Sequence, residues 1–330
     1  MATISDRITK LKKNRKFVDF CKHVRQWNGF DSALDISDRL VRVDISDVKL
    51  DKSKIFDNAT LSKSDMKYGV EEFFVIINSL ADSGVDLYQL LYDNAKYVAV
   101  DSFIERPCCN VSKDSRGKVT KSILLSGSRS IENQMSIIHE TTHSFCKFFL
   151  DAILPVDDEA KEYPTAASEN LAATILQEEL PEHKSKYIEL KKFYECHNIE
   201  KSAVSVIDAM IVKIMTGEET IDTVQSKYAD VIGKNMHLLD WRLSDIENGK
   251  CCPMYEASYL VPRAVAIEVE NRYKYDPKEG AKAYKFLIER NHDMYEGEIL
   301  NALGLGTRED VIDRYANNFC NRIHEIENEA

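Results

Sequence analysis

Apolar positions along the chain recur mostly at intervals of three and four residues, the period of an amphipathic α-helix. On that pattern residues 4–27 read as one amphipathic helix, and residues 65–83 and 85–96 as a helical pair. Ser130 to about Leu150 and residues 165–180 read as two more helices, the second stopped by Pro181. The stretch 183–330 is nearly all helical by the same test. YVAVDSF (97–103) and ILLSG (123–127) break the period with β-prone runs, around a polar, turn-rich segment at 105–121. Pro155 to Pro164 reads as a loop. The expected fold class is therefore mainly α (α+β), with a small antiparallel sheet near residues 97–127. Nothing marks a linker or an internal repeat. The expected division is an N-terminal helical region, 1–100, ahead of a second region, 101–330, unless the two form one domain.

Composition sharpens this in a few respects. Only 12 Gly and 7 Pro punctuate 330 residues, which agrees with long helices. A net charge of −11 disfavours a nucleic-acid partner, and the basic run Lys10, Lys12, Lys13, Arg15 and Lys16 fits the solvated face of a first helix. No stretch reaches the roughly 18–20 apolar residues of a membrane helix. The N-terminal MATISDRITKLKKNRKF lacks the apolar core of a secretory signal. The eight cysteines include the neighbours Cys108-Cys109 and Cys251-Cys252, and a chain of this size needs no disulfide framework. A cytoplasmic protein with reduced thiols and no membrane partner is expected. Export without a cleaved signal would leave the same sequence.

The candidate chemistry lies in HETTH, 139–143. His139 and His143 are four apart, so on a helix they stack on one face about one turn apart and can share a metal ion. Glu140 sits beside the first histidine, where its carboxylate can reach a metal-bound water without ligating the metal; this is the zincin arrangement. The flanking Ile137, Ile138, Phe145, Phe148 and Phe149 are apolar, so the helix is expected to be buried. Buried imidazoles need partners, and one zinc ion supplies one.

A catalytic zinc usually takes a third protein ligand and keeps one position for water. No His-x-x-Gly-x-x-His extension follows the motif. In ASENLAATILQEEL, Glu169 precedes the small residues Ala172 and Ala173, which permit close helix packing. Glu169 is the favoured ligand, with Glu162 and Glu178 as alternatives. ILLSG ends shortly before the motif, either to pair with an extended substrate or only to complete the sheet.

Three blocks resemble the oligoendopeptidase F and thimet oligopeptidase family of zinc peptidases: ILLSGSRSIENQMSIIHETTHSF (123–145), YPTAASENLAATILQEEL (163–180), and the run from PMYEASYLVPRA to ILNALGLG (253–306). Together they lie in the C-terminal two-thirds. The resemblance implies a zincin-like helical catalytic domain around a deep cleft, N-terminally shortened, that cleaves short peptides. It implies that a tyrosine after Pro253 supports the tetrahedral intermediate, with Tyr259 the better match and Tyr255 next. The chain departs from the pattern at Thr142, where the family has Gly, at Cys251-Cys252, where it has a histidine nearby, and at Ala257, where it has a tyrosine.

The expected function is thus a zinc-dependent endopeptidase acting on peptide substrates, with Glu140 as general base. Two other readings stay open: a dedicated regulatory or effector protease with one protein target, and a non-catalytic zinc-binding interaction module. Of the remaining histidines, His237 falls between the second and third blocks and is the best placed for a distal role.

Overall fold

A computed structural model describes residues 3–27, 29–55, 75–84, 98–100, 108–113, 115, 119–125, 131–146, 159–250, 252–290 and 294–328. The protein is mainly helical. Its first elements are α1 (Ile4–Lys12), α2 (Arg15–Arg25), α3 (Phe30–Leu40) and the single turn α4 (Lys52–Ile55). The one helix expected over 4–27 is two, because Asn14 turns the chain. Its side-chain oxygen accepts the Phe17 N–H at 3.3 Å and caps α2. Of the expected 65–83 helix, residues 75–82 are helical; 65–74 and the expected 85–96 helix lie outside the described residues.

Three strands follow: β1 (Val98–Val100), β2 (Cys108–Lys113) and β3 (Val119–Leu125), in the order β1-β3-β2. β2 pairs antiparallel to β3, from Cys108 opposite Leu124 to Lys113 opposite Val119. β1 pairs parallel to β3, with Val98 opposite Ile123. The pairing is therefore mixed, where an antiparallel sheet was expected. The difference arises because β2 occupies part of the segment expected to be turn-rich, and its polar Asn110, Ser112 and Lys113 hide a strand from a composition test. β3 leads into α5 (Ile131–Phe145), which packs against both β3 and β2.

The next helix, α6, spans Glu159–Glu179 and so takes in part of the expected loop at 155–164. Pro164 lies inside it. A proline there removes one backbone donor and crowds the preceding turn, but the helix continues through it. Residues 151–158 lie outside the described residues. A 3₁₀ turn at Pro181–His183 separates α6 from α7 (Lys184–Thr216), whose 33 residues span about 50 Å. Gly217, at φ 80°, ends it in the left-handed conformation. Then come α8 (Ile221–Lys227), α9 (Ala229–Lys234), α10 (Met236–Glu247), α11 (Leu260–Tyr275), α12 (Pro277–Glu289), α13 (Glu296–Ala302) and α14 (Arg308–Asn328).

Two hydrophobic cores organise these helices. One gathers Ile36, Leu40 and Ile77 with Met135 and Ile138 of α5, Leu171 of α6, Val265 of α11 and Phe319 of α14. The other joins Leu11, Val24 and Phe30 to Ile207, Ile211 and Ile214 of α7 and Leu243 of α10. Both draw on residues before and after position 100. α7 contributes to each, and from Ser202 to Val212 it is buried on every side.

α6 and α11 pack tightly, and polar groups tie them to α7 and α14. Glu270 of α11 is fully buried. It accepts hydrogen bonds from Asn170 (3.2 Å), Thr174 (2.9 Å) and Arg322 (2.7 Å), and Lys191 lies 3.5 Å away. At the tight α11–α12 corner, Gly280 stands so close to Tyr273 that a Cβ would fall 2.4 Å from its Cα. No helix among the described residues is long and apolar enough to cross a membrane.

Candidate metal centre

α5 packs on the central strand β3, and the face it buries sets which side carries its histidines. Met135 and Ile138 are buried in the first core, and Thr142 returns its hydroxyl to the Ile138 carbonyl at 2.7 Å. His139 and His143 lie on one face, with their Nε2 atoms 3.1 Å apart and their rings edge to face at 4.7 Å. The expected pairing of these two imidazoles is therefore present.

The carboxylate that lies against both imidazoles at their Nε2 edges is Glu162. Its Oε2 lies 3.4 Å from His139 Nε2 and 3.6 Å from His143 Nε2. The Thr165 hydroxyl donates to the same carboxylate at 3.0 Å. Two nitrogens and one oxygen thus form a triangle with edges of 3.1, 3.4 and 3.6 Å. Ligands held tetrahedrally at about 2.0–2.1 Å from zinc are separated by about 3.3 Å, so the donors fit such an ion in both type and spacing. Among the described residues, His139, His143 and Glu162 are the group of metal-binding side chains that converge in this way.

Glu169, the favoured third ligand on sequence grounds, takes a different position. Its Oε1 lies 3.0 Å from Nδ1 of His139, on the far side of that ring from Nε2. Its Oε2 is paired with Arg263 of α11, and the Arg263 guanidinium lies over the Tyr194 ring at 4.9 Å. The physical reason is the early start of α6. Glu162 and Glu169 are seven residues apart, two helical turns, so both lie on the stripe that faces α5. The earlier one meets the Nε2 edge and the later one the Nδ1 edge. Glu169 therefore orients the imidazole from behind, as an outer carboxylate does in many metal sites. The expected helix start after Pro164 had left Glu162 in a loop. Glu178 is exposed near the end of α6, away from the histidines.

The charges reinforce one another. Burial opposes charging His139, but Glu169 and then Glu162 outweigh it and lift its pKa to about 10. Burial likewise opposes charging Glu162, and His143 and His139 pull it down to about 2. Glu169 is brought to about 2 against its burial, chiefly by Arg263 and then by His139. Glu162, Glu169 and Arg263 together leave one negative charge in excess beside the two imidazoles when these are neutral.

Glu140 is buried on α5 beside His139 and stands outside the converging donor set. Tyr255 precedes and Tyr259 ends a 3₁₀ turn (Glu256–Tyr259) that leads into α11, and their hydroxyls are 2.7 Å apart. Burial, then Glu162, then Tyr255 raise the Tyr259 phenol well above its usual range, so it remains an O–H donor at neutral pH. Residues leading into this turn are clamped. Asp208 of α7 is fully buried, accepts two hydrogen bonds from Arg242 (2.7 and 2.6 Å), and takes the Met254 N–H at 2.8 Å. Arg242 also donates to the Cys252 carbonyl at 2.9 Å. Met254 is held at φ 67°, a conformation costly for a side-chain-bearing residue. Nothing in the sequence marked Asp208 or Arg242. A buried Asp and Arg on separate helices leave no spacing signal.

His237 is exposed on α10 and joins no metal-binding group among the described residues. Phe148, Phe149 and Cys251 lie outside the described residues. Compared with known proteins, the chain matches no family model, no curated protein and no solved structure.

Proposed function

We propose that the chain is a zinc-dependent peptide hydrolase in which His139, His143 and Glu162 hold one zinc ion and Glu140 is the general base. The observation that carries this reading is the donor triangle, with edges of 3.1, 3.4 and 3.6 Å, beside a buried carboxylate that does not belong to it. When bound, zinc polarises a substrate carbonyl and brings the pKa of a coordinated water to about 7. Glu140 takes the proton from the attacking water and passes it to the departing amine. Glu169 holds the His139 ring by its Nδ1–H and is itself held by Arg263. Tyr259, with Tyr255 hydrogen-bonded to it, offers a phenol to the oxyanion.

The order of zincin helix, carboxylate helix and tyrosine turn supports a relationship to the oligoendopeptidase F and thimet oligopeptidase peptidases. In this reading the ligand role passes from Glu169 to Glu162. Short, unfolded peptides are the proposed substrates. The test is Glu140→Gln on zinc-loaded protein, with a peptide library as substrate and zinc content measured in parallel. Zinc should be retained and cleavage should fall by roughly 10²–10⁴-fold. Normal cleavage by the variant, or a wild-type protein that takes up no zinc, refutes the assignment.

A further inference from the structure

Lys201 of α7 stands beside the tyrosine turn, and the mechanism above makes no use of it. Its ammonium lies 4.8 Å over the face of the Tyr259 ring. Its one ion-pair partner among the described residues is Glu256, at 3.7 Å, beyond hydrogen-bond reach. The side chain keeps 20% of its exposure. A lysine ammonium carries three donors, and none of them is spent on a described residue. It is also close enough to Glu169 to help hold that carboxylate ionised. The cation is therefore near the metal centre, reachable from solvent, and short of acceptors.

We propose that Lys201 is a substrate-recognition residue that takes a carboxylate one or two residues from the bond to be cut. Given the proposed peptidase activity, on which this inference rests, the distances set the reach. The phenol oxygen of a tyrosine is about 2.8 Å from its ring centre, so Lys201 Nζ lies roughly 5–8 Å from the Tyr259 hydroxyl, the span of about two extended residues. A substrate whose scissile carbonyl meets Tyr259 brings a carboxylate that far along the chain to the ammonium. A neutral amide in the same place accepts one hydrogen bond from the ammonium, whereas a carboxylate adds the attraction of its full negative charge. That carboxylate is either the free C-terminus or an acidic side chain.

The experiment measures binding to zinc-loaded Glu140→Gln protein, alone and combined with Lys201→Gln or Lys201→Arg. Two peptide pairs are used: one differs only in a C-terminal carboxylate or carboxamide, the other only in an internal Glu or Gln near the cleavage site. The acid member of at least one pair should bind about tenfold to a hundredfold tighter. That preference should collapse in Lys201→Gln and return in part in Lys201→Arg. Preference in the first pair alone assigns the free C-terminus, and in the second alone an acidic side chain. Equal binding within both pairs, or a preference that survives Lys201→Gln, overturns the proposal. Because binding is read without turnover, this failure is separate from the failure of wild-type protein to cleave any peptide, which refutes the peptidase reading itself.

Discussion

The roles of Glu162 and Glu169 can be exchanged only at a measurable cost. Glu169 is buried and Glu162 half-buried, both touch His139, and both are held near pKa 2. They differ in which edge of the ring they meet. Glu162 is 3.4 Å from Nε2 of His139 and 3.6 Å from Nε2 of His143, whereas Glu169 is 3.0 Å from Nδ1 of His139. In the proposed site, Glu162→Gln should therefore remove an ionised ligand, and Glu169→Gln only an orienting partner. Structural zinc sites bind with about 10–16 kcal/mol, or about 2.5–4 kcal/mol for each of four ligands. Glu162→Gln should accordingly weaken zinc binding by roughly 10²–10³-fold. An outer partner is worth about 10–100-fold, which is the expectation for Glu169→Gln. Competition against a chromophoric chelator at one pH ranks the two. Cobalt(II) substitution provides a second readout: the absorption bands should change with the ligand set in Glu162→Gln and persist in Glu169→Gln. A larger loss from Glu169→Gln, with a cobalt spectrum unchanged in Glu162→Gln, would refute the assignment and restore the ligand favoured by sequence.

Three other outcomes follow from the same structure. In metal-free protein, His139 has a folded pKa of about 10 against 6.5 ordinarily, so its contribution to stability is complete below pH 6.5 and is lost as the pH rises through 10. Glu162 and Glu169, near 2 against 4.5, contribute above pH 4.5 and lose that contribution as the pH falls toward 2. Melting temperatures should therefore plateau between those limits. Zinc should flatten the alkaline side because it displaces the imidazolium proton, and an alkaline decline unaffected by zinc would contradict this. Glu270→Ala should lower stability by about 3–5 kcal/mol in urea titrations, since it removes the buried carboxylate that Arg322, Lys191, Asn170 and Thr174 share; a loss under about 1 kcal/mol would mean that the network is not a unit. Gly280→Ala should cost about 1–3 kcal/mol by forcing the α11–α12 corner apart, and a neutral result in the same titration would show that the corner yields freely.

How much of this could be read from the chain alone depended on whether a feature was local. The helix that carries HETTH shows in its 3.6-residue period, and the convergence of His139 and His143 follows from a spacing of four. The helical pattern near 165–180 was equally visible. Glu162 ranked behind Glu169 because Pro164 reads as a helix boundary and leaves Glu162 in a loop, yet α6 begins at Glu159. The choice between Glu162 and Glu169 was beyond reach, since two residues on one helical stripe look alike until the crossing of α5 and α6 decides which ring edge each meets. The break at Asn14 is a side-chain cap that leaves little trace in periodicity. Parallel pairing of β1 and β3 depends on where the chain returns. The Asp208–Arg242 clamp joins helices 34 positions apart, and no short window of sequence contains it.

The long helix α7 has a consequence for how the molecule comes apart. One unbroken rod is packed at its early turns among residues that flank His139 and His143 and at its later turns among the N-terminal helices. Loosening either end strips shelter from the other. Removal of the proposed zinc should therefore be felt far away, as faster amide exchange around Ile211 and Leu243, and heating should yield one sharp melt instead of two steps.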